Sequence, residues 1–369
     1  MSSFPPEHEL FPKPRYSIMV DSKRIEHREL IQFFKQTLMA VGTPLHVAEV
    51  EAEIGAEVDL CGVHSHGVRL LPVMVENIQT GLTNPDPEVK ILTEQPASVL
   101  AETDRGIGRY VSAVGMDMAI ERAETYGIGA VTIRGVAHWG RGYSYAARAA
   151  RAGMIGLTFT NAIINFPAWG TSTASLGNNP MAIGVPVEDG GEPVVLDLAM
   201  TQTAIGRVRE AAEAGQRVPL GWGLDAAGKP TTDPEAIVES ERFLPMGEHK
   251  GSGLAFMIEL LTAGLAGGLL CYELGIEGRP TDTSGGSSKL FIAIRPHGDW
   301  LNEKTASLKS YLKSAPPAAE QGEAQWPGEG SYRRRTEYLA HGIPIPPKLA
   351  ADMEALAQEL SIALNWKTQ

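Results

Sequence analysis

The strand-forming segments of this chain are short and do not alternate one for one with helices, which disfavours a regular, parallel doubly wound sheet. Alternating or β-branched runs at 89–92, 98–101, 130–133, 154–160, 181–185, 194–198 and 290–294 read as strands. From 26 to about 80 the pattern is mainly helical. Leu30, Phe33, Phe34, Leu38 and Val41 recur at three- and four-residue spacing, and a second helix holds 47–60. Further helices are expected at 110–126, 143–152, 251–267 and 349–364, and no internal repeat is visible. The glycines point the same way. A conventional dinucleotide unit needs Gly-x-Gly-x-x-Gly between a strand and a helix. Gly106-Ile-Gly108, Gly127-Ile-Gly129, Gly140-Arg-Gly142, Gly221-Trp-Gly223 and Gly251-Ser-Gly253 all lack the third glycine at its place. Motif logic alone announces no nicotinamide cofactor.

A length of 369 residues allows two or three structural units. Asp plus Glu number 44 against 32 Lys plus Arg, a formal charge of -12 with no basic stripe, which argues against nucleic acid. Cys61 and Cys271, both in apolar surroundings, read as buried thiols in a reducing compartment, so the cytoplasm is the expected location. No charged start followed by an apolar run marks a secretory signal. The longest apolar stretch, 254–272, contains Glu259 and is shorter than the roughly 20 residues that a membrane span needs; a buried core helix is expected instead. Residues 1–20, with Pro5, Pro6, Pro12 and Pro14, read as an extended arm, either free or packed on a partner subunit.

Four stretches carry residue types suited to chemistry. In Val63-His64-Ser65-His66-Gly67-Val68-Arg69, an imidazole can move a proton near neutral pH and the hydroxyl can hold a substrate oxygen. Ser65 is equally suited to cap the helix that follows, and His64 and His66 have the spacing of metal ligands on a strand. His138-Trp139-Gly140-Arg141 follows the strand at 130–133, where open sheets place ligands, although a satisfied polar junction fits as well. The third set comprises Thr160-Asn161, Trp169-Gly170 and Gly177-Asn178-Asn179-Pro180, which suit either a close backbone approach to a ligand or a plain loop. The last, Gly247-Glu248-His249-Lys250-Gly251, opens the long apolar helix as a possible phosphate cradle or a capped core helix.

Together and in this order, these stretches resemble the malate/L-lactate dehydrogenase family of the non-Rossmann type, over nearly the whole chain from about Ile25 to Leu364. Ser65-His66-Gly67, His138-Trp139-Gly140, Trp169-Gly170 with Asn179-Pro180, and His249-Lys250-Gly251 carry the resemblance. Trp326-Pro327-Gly328-Glu329 and Gly342-Ile343-Pro344-Ile345-Pro346 support it. The resemblance implies an α/β fold with a largely antiparallel cofactor-binding sheet and a helical domain formed by the N- and C-terminal parts. It places a helical substrate and dimerisation domain at 21–125 and 330–369 and an NAD(P)-binding domain at 126–329, usually within a homodimer. It implies hydride transfer between nicotinamide and a small 2-hydroxy/2-oxo acid or its cyclic imine analogue. His66 and His138 become the catalytic imidazoles and Ser65 a substrate holder. Asn161, Ala162, Asp197, Leu198, Ala199, His249, Lys250, Pro327, Gly328 and Glu329 match cofactor-contact positions. Asp197 and Glu329 are candidates to meet a ribose 2′-hydroxyl, which favours NAD, with NADP as the alternative.

The sequence departs from the family at two places. The family commonly reads Ser-His-Gly-Val-x-Arg, its arginine gripping the substrate carboxylate. Here that position is Leu70, with Arg69 one place earlier, a turn of about 100° on a helix. Met74 stands where the family often has tyrosine. Arg69 and Arg141 are therefore the candidate substrate anchors. Two other readings compete: a metal-dependent hydrolase built on His64, His66 and His138, and a cofactor-binding relative without turnover.

Overall fold

Leu30, Phe33, Phe34 and Leu38 form the apolar stripe that the spacing predicts, and all four are buried. The computed structural model describes residues 22–187, 191–317 and 322–367, so the arm expected at 1–20 lies outside the described residues. A helical layer begins with strand β1 (Lys23–Ile25), α1 (His27–Ala40) and α2 (Leu45–Leu60). Two 3₁₀ turns, His64–His66 and Val68–Leu70, lead into α3 (Leu71–Gln79). Strand β11 (Ile343–Ile345) returns from the far end of the chain to pair antiparallel with β1, and α11 (Pro347–Glu359) closes the same core. Helices α1 and α2 approach closely because Gly55 has no side chain: a Cβ there would lie 2.7 Å from the Phe34 ring.

Seven strands form the main sheet, in the order β2-β3-β4-β10-β5-β8-β9. They are β2 (Lys90–Gln95), β3 (Ser98–Gly106), β4 (Ile128–Val136), β5 (Ile155–Thr160), β8 (Met181–Val185), β9 (Val194–Leu198) and β10 (Ser287–Ile294). Only β3 and β4 run parallel; the other neighbours are antiparallel. The fold is therefore the non-Rossmann, largely antiparallel α/β arrangement. Strand β10 enters between β4 and β5 after more than a hundred intervening residues, which is why strands and helices do not alternate along the sequence. Its first five residues are all buried, including Lys289. Helix α4 (Gly108–Tyr126) lies on the sheet with Gly115 against Phe291, and α5 (Tyr143–Arg151) packs on β5 and β8.

The remaining elements surround the β9 side. Strands β6 (Ile164–Pro167) and β7 (Ala174–Gly177) form a hairpin, followed by α6 (Ile205–Glu213), α7 (Pro234–Ser240), α8 (His249–Glu259), α9 (Trp300–Ser314) and α10 (Glu329–His341). Neither the hairpin nor α6, α7, α9 and α10 is expected from the sequence pattern. The two strands around the 96–97 turn are longer than expected, because their pairing continues into charged residues. The C-terminal helix stops at Glu359, short of the expected 364.

One expectation is overturned outright. The apolar run after 250 is not a buried core helix. Helix α8 passes into a π-helical turn at Leu260–Gly264, and Leu254, Phe256, Met257, Leu260 and Leu265 face outward, each more than 40% exposed. Its inner face, Ala255, Ile258, Glu259 and Thr262, is what the core takes. Apolarity on both faces signals burial, and in this chain the sheet supplies it on one side only.

A buried ion pair joins the helical layer to the sheet layer. Arg109, at the start of α4 and fully buried, donates from Nη1 to Glu51 Oε2 of α2 at 3.2 Å and from Nη2 to the His66 carbonyl at 3.0 Å. Glu51 Oε1 accepts from the Tyr110 N–H at 2.7 Å. Burial pushes the Glu51 pKa up, and the Arg109 charge opposes it. Removing one partner of such a pair costs about 3–5 kcal/mol, because the other charge is left buried alone. Arg109→Met is expected to lower the free energy of denaturant unfolding by that amount, and Glu51→Met with Arg109→Met to recover much of it. A loss under about 1 kcal/mol for the single variant would contradict this account.

Candidate active site

The Ser65-His66 turn is built from its support upward. Asp59, fully buried in the last turn of α2, accepts from the Val68 N–H at 2.7 Å and shares a 2.7 Å hydrogen bond with His64 Nδ1. Gly67 lets the turn press against this carboxylate, since a Cβ there would stand 2.2 Å from Asp59 Oδ2. Burial raises the Asp59 pKa, opposed mainly by its bond to His64. His64 is thus the side-chain clamp of the turn. The hydrolase reading, which groups it with His66 and His138, does not match this arrangement. Among the described residues no three His, Cys, Asp or Glu side chains converge as ligands.

His66 and His138 are brought together, their ring centroids 5.7 Å apart and their planes tilted by 37°. His66 Nδ1 lies 2.9 Å from Ser65 Oγ. His138 follows β4, and its Nδ1 accepts from the Gly140 N–H at 3.1 Å, made possible by a positive φ of 78° at Gly140. A ring nitrogen that accepts carries no proton, so neutral His138 holds its proton on Nε2. His66 is pushed down to about 4, chiefly by burial, with Asp197 opposing and Arg141 and Arg109 adding to the drop. His138 is also held well below the usual imidazole range by burial, then by His66, Lys289 and Arg109. Both rings are therefore neutral at pH 7.

The two candidate substrate anchors differ. Arg69 lies 3.7 Å from Glu213 of α6 in a partly exposed contact, and its Nε is buried without a protein partner. Arg141 lies beneath the histidines, its Nε 2.8 Å from Asp197 Oδ2, its guanidinium 4.4 Å from the Tyr143 ring centre, and its Nη1 buried with no protein partner. That leftover donor is the structural feature that a substrate carboxylate would satisfy. Asp197 is correspondingly tied to Arg141 and acts electrostatically on His66.

The remaining cofactor candidates gather near the ends of β5 and β9. Asn161 is held on all sides: its amide donates to Glu259 Oε1 and the Leu269 carbonyl, both at 2.9 Å, and accepts from the Ser288 N–H at 2.8 Å. Its main chain is engaged as well: the N–H donates to the Ser288 carbonyl at 3.3 Å, the carbonyl accepts from Thr160 Oγ1 at 2.9 Å, and the Ala162 N–H donates to Asn179 Oδ1 at 2.9 Å. Past Asp197, Leu198 and Ala199, the Met200 carbonyl accepts from the Met246 N–H at 2.8 Å, which brings the segment before α8 alongside. There Gly247 turns at a φ of 58°, and His249 and Lys250 stand exposed in the first turn of α8. On the other side, the Pro327 carbonyl accepts from the Val195 N–H at 3.2 Å, and Gly328, with a φ of 93°, lies against Val195. Glu329 bonds to Lys313 at 2.6 Å and to the Trp326 N–H at 3.1 Å.

Two buried groups at the centre escaped the sequence reading. Arg109 is one. Lys289 is the other: its Nζ donates to Thr160 Oγ1 at 2.8 Å and Ser287 Oγ at 2.6 Å, and sits 5.5 Å from the Trp139 ring centre. Burial brings its pKa down to about 7, with Asp282 opposing. A lone lysine inside the run Ser287-Ser288-Lys289-Leu290-Phe291 is the signal that could have found it.

This geometry has counterparts in known proteins. Residues 25–354 match the family model described as Malate/L-lactate dehydrogenase. The chain is 31% identical to 2,3-diketo-L-gulonate reductase of Citrobacter koseri, over 90% of this chain and 100% of that protein. The sulfolactate dehydrogenase of Methanocaldococcus jannaschii superposes with a TM-score of 0.84 at 30% identity, covering 92% of this chain and 98% of that one. The delta1-piperideine-2-carboxylate reductase of Pseudomonas syringae pvar. tomato does so with a TM-score of 0.81 at 30% identity, covering 91% and 100%. With the non-Rossmann sheet and the paired histidines already in place, the chain belongs to the malate/L-lactate dehydrogenase family and is an oxidoreductase acting on 2-hydroxy/2-oxo acids.

Proposed function

We propose that this chain uses NAD to interconvert a small 2-hydroxy acid and its 2-oxo acid, or a cyclic imine analogue, with the substrate oxygen or nitrogen held between His66 and His138. The observation that carries the reading is the apposition of two half-buried, neutral imidazoles beside an arginine with an unused donor. The family implies a nicotinamide cofactor, and the residues fit one. Exposed Lys250, in the first turn of α8, suits a diphosphate. Lys313, the cation bonded to the 327–329 segment, is neutralised by Glu329, which supports NAD over its 2′-phosphorylated form. Bound there, the cofactor supplies or accepts a hydride at the substrate's C2.

The chain's own residues do the rest. His138, with its proton on Nε2, donates a hydrogen bond to the substrate oxygen and stabilises the negative charge that develops on it. His66, oriented by Ser65, takes the hydroxyl proton in oxidation and returns it in reduction. Arg141 Nη1 binds the carboxylate. A base that is already neutral serves oxidation without a pH penalty, whereas reduction requires His66 to be protonated.

The test follows nicotinamide fluorescence and turnover together across pH. NADH should bind, and kcat/KM for 2-oxo acid reduction should fall about tenfold per pH unit between 5 and 8, since the acid titrates near 4. Oxidation should show no histidine inflection over that range. His66→Ala should reduce turnover by about 10²–10⁴-fold with little change in NADH affinity. Binding of neither nicotinamide, or a reduction profile flat up to about pH 6 and breaking near the ordinary imidazole value of about 6.5, would overturn the reading.

The outward apolar face of α8 supports assembly as a homodimer. Leu254, Phe256, Met257, Leu260 and Leu265 form a patch of a kind that monomers rarely leave in water. It adjoins the His249-Lys250 segment, and a two-fold pairing would bury the same face on both copies. Sedimentation should report twice the chain's mass, and Phe256→Asp with Leu265→Asp should halve it. A wild-type monomer at micromolar concentration would refute the assembly. The buried, unpaired thiols Cys61 and Cys271 are in keeping with the cytoplasm, and no helix among the described residues is long and apolar enough to cross a membrane.

A further inference from the structure

Against His138, on the side formed by the Val68–Leu70 turn and α3, lies a small enclosed cavity. Leu70, Met74, Ile78 and Ile107 are among its walls, and no Asp, Glu, Lys or Arg side chain lines it. Its free space is about 20 Å³, room for one water-sized group. The nearest charge behind it is the Arg109 guanidinium, 3.1 Å from Met74 Sδ. That charge is already spent on Glu51 and the His66 carbonyl. One wall atom, Thr83 Oγ1, is buried without a protein partner, a neutral donor that one water satisfies.

We infer that this cavity receives the substituent on the substrate's carbonyl carbon, and that it selects a short, uncharged, aliphatic group. The inference rests on the reductase reading given above. A carbonyl held between His66 and His138, with its carboxylate at Arg141, has one remaining substituent. The cavity against His138 is the enclosed space beside that carbonyl. A second carboxylate or a sulfonate placed there would lose its water and meet apolar walls, the His138 ring and the side chains of Thr83 and Thr283, with no cation among them, an arrangement that strongly disfavours an ion. A methyl or ethyl group loses nothing and gains contact with Leu70 and Ile107. Leu70 and Met74 are thereby specificity-determining residues: they exclude charge by offering none in return. The unbranched Met74 side chain is the part of the wall able to yield to a slightly longer group.

The decisive comparison is between 2-oxobutyrate and oxaloacetate, which differ in a terminal methyl against a carboxylate. With NADH, kcat/KM for 2-oxobutyrate should exceed that for oxaloacetate by at least about 100-fold. Leu70→Arg should narrow or invert that ratio by raising the oxaloacetate value, and Met74→Lys, at a second wall position, should move it the same way. Should both variants fail to fold, the wild-type protein with NAD decides: 2-hydroxybutyrate should raise its melting temperature, and malate at equal concentration should not. Equal or better turnover of oxaloacetate by the wild type would overturn the inference and leave the reductase reading standing. Turnover of neither acid, nor of any ketimine, with either nicotinamide would remove both.

Discussion

A guanidinium with no access to water needs acceptors, and Arg109 reaches from the sheet layer to two of them on the N-terminal layer. Glu51 belongs to a helix of the N-terminal layer, while the His66 carbonyl belongs to the turn that follows it. Arg109 itself starts the helix that lies on the main sheet. One side chain therefore fixes the distance between layers and the height of the Ser65-His66 turn at once. The second restraint on that turn is the Asp59 carboxylate, which takes a main-chain N–H and the His64 ring. Two buried carboxylates on one helix thus hold the loop that presents Ser65 and His66. Neither carboxylate is left to do chemistry.

The electrostatics of the centre follow from that packing. Dehydration alone favours neutral imidazoles, and the cations around them push the same way: Arg109 and Arg141 at His66, Lys289 and Arg109 at His138. Asp197 opposes at His66 but is shared with Arg141. The outcome is one ring with a fixed tautomer, His138, and one whose proton position depends on a serine hydroxyl, His66. Different partners on equivalent atoms give two chemically similar side chains different tasks.

Much of this was legible before any coordinates. The irregular strand pattern and the absent glycine fingerprint led away from a doubly wound sheet, and the histidine stretches led to the site. The strands at 181–185 and 194–198 match their expected bounds, because each is a short, mainly apolar run flanked by proline, Pro180 and Pro186 for the first and Pro193 for the second. Other elements were hidden for physical reasons. Helix α9 has no buried residue, so no apolar stripe marks it. The run after 250 looked like core because hydrophobicity reports affinity for a partner surface without saying whether that surface lies in the same chain. Arg109 and Lys289 are polar residues set among apolar ones, and a sequence does not reveal which distant segment will supply their partners. Glu51 gave a clue that was passed over: it falls in step with Val47, Ala48, Ala52 and Gly55 on the inward face of its helix, where a carboxylate must be paired.

The central claim is that His138 is a neutral hydrogen-bond donor at physiological pH, its Nδ1 occupied by a main-chain N–H. Nitrogen-15 NMR of the imidazole side chains, with His138 assigned through His138→Gln, reads this directly. The account predicts a protonated Nε2 and an unprotonated Nδ1 for that ring from pH 8 down to pH 5. A doubly protonated ring at pH 7, or a proton resident on Nδ1, would contradict it.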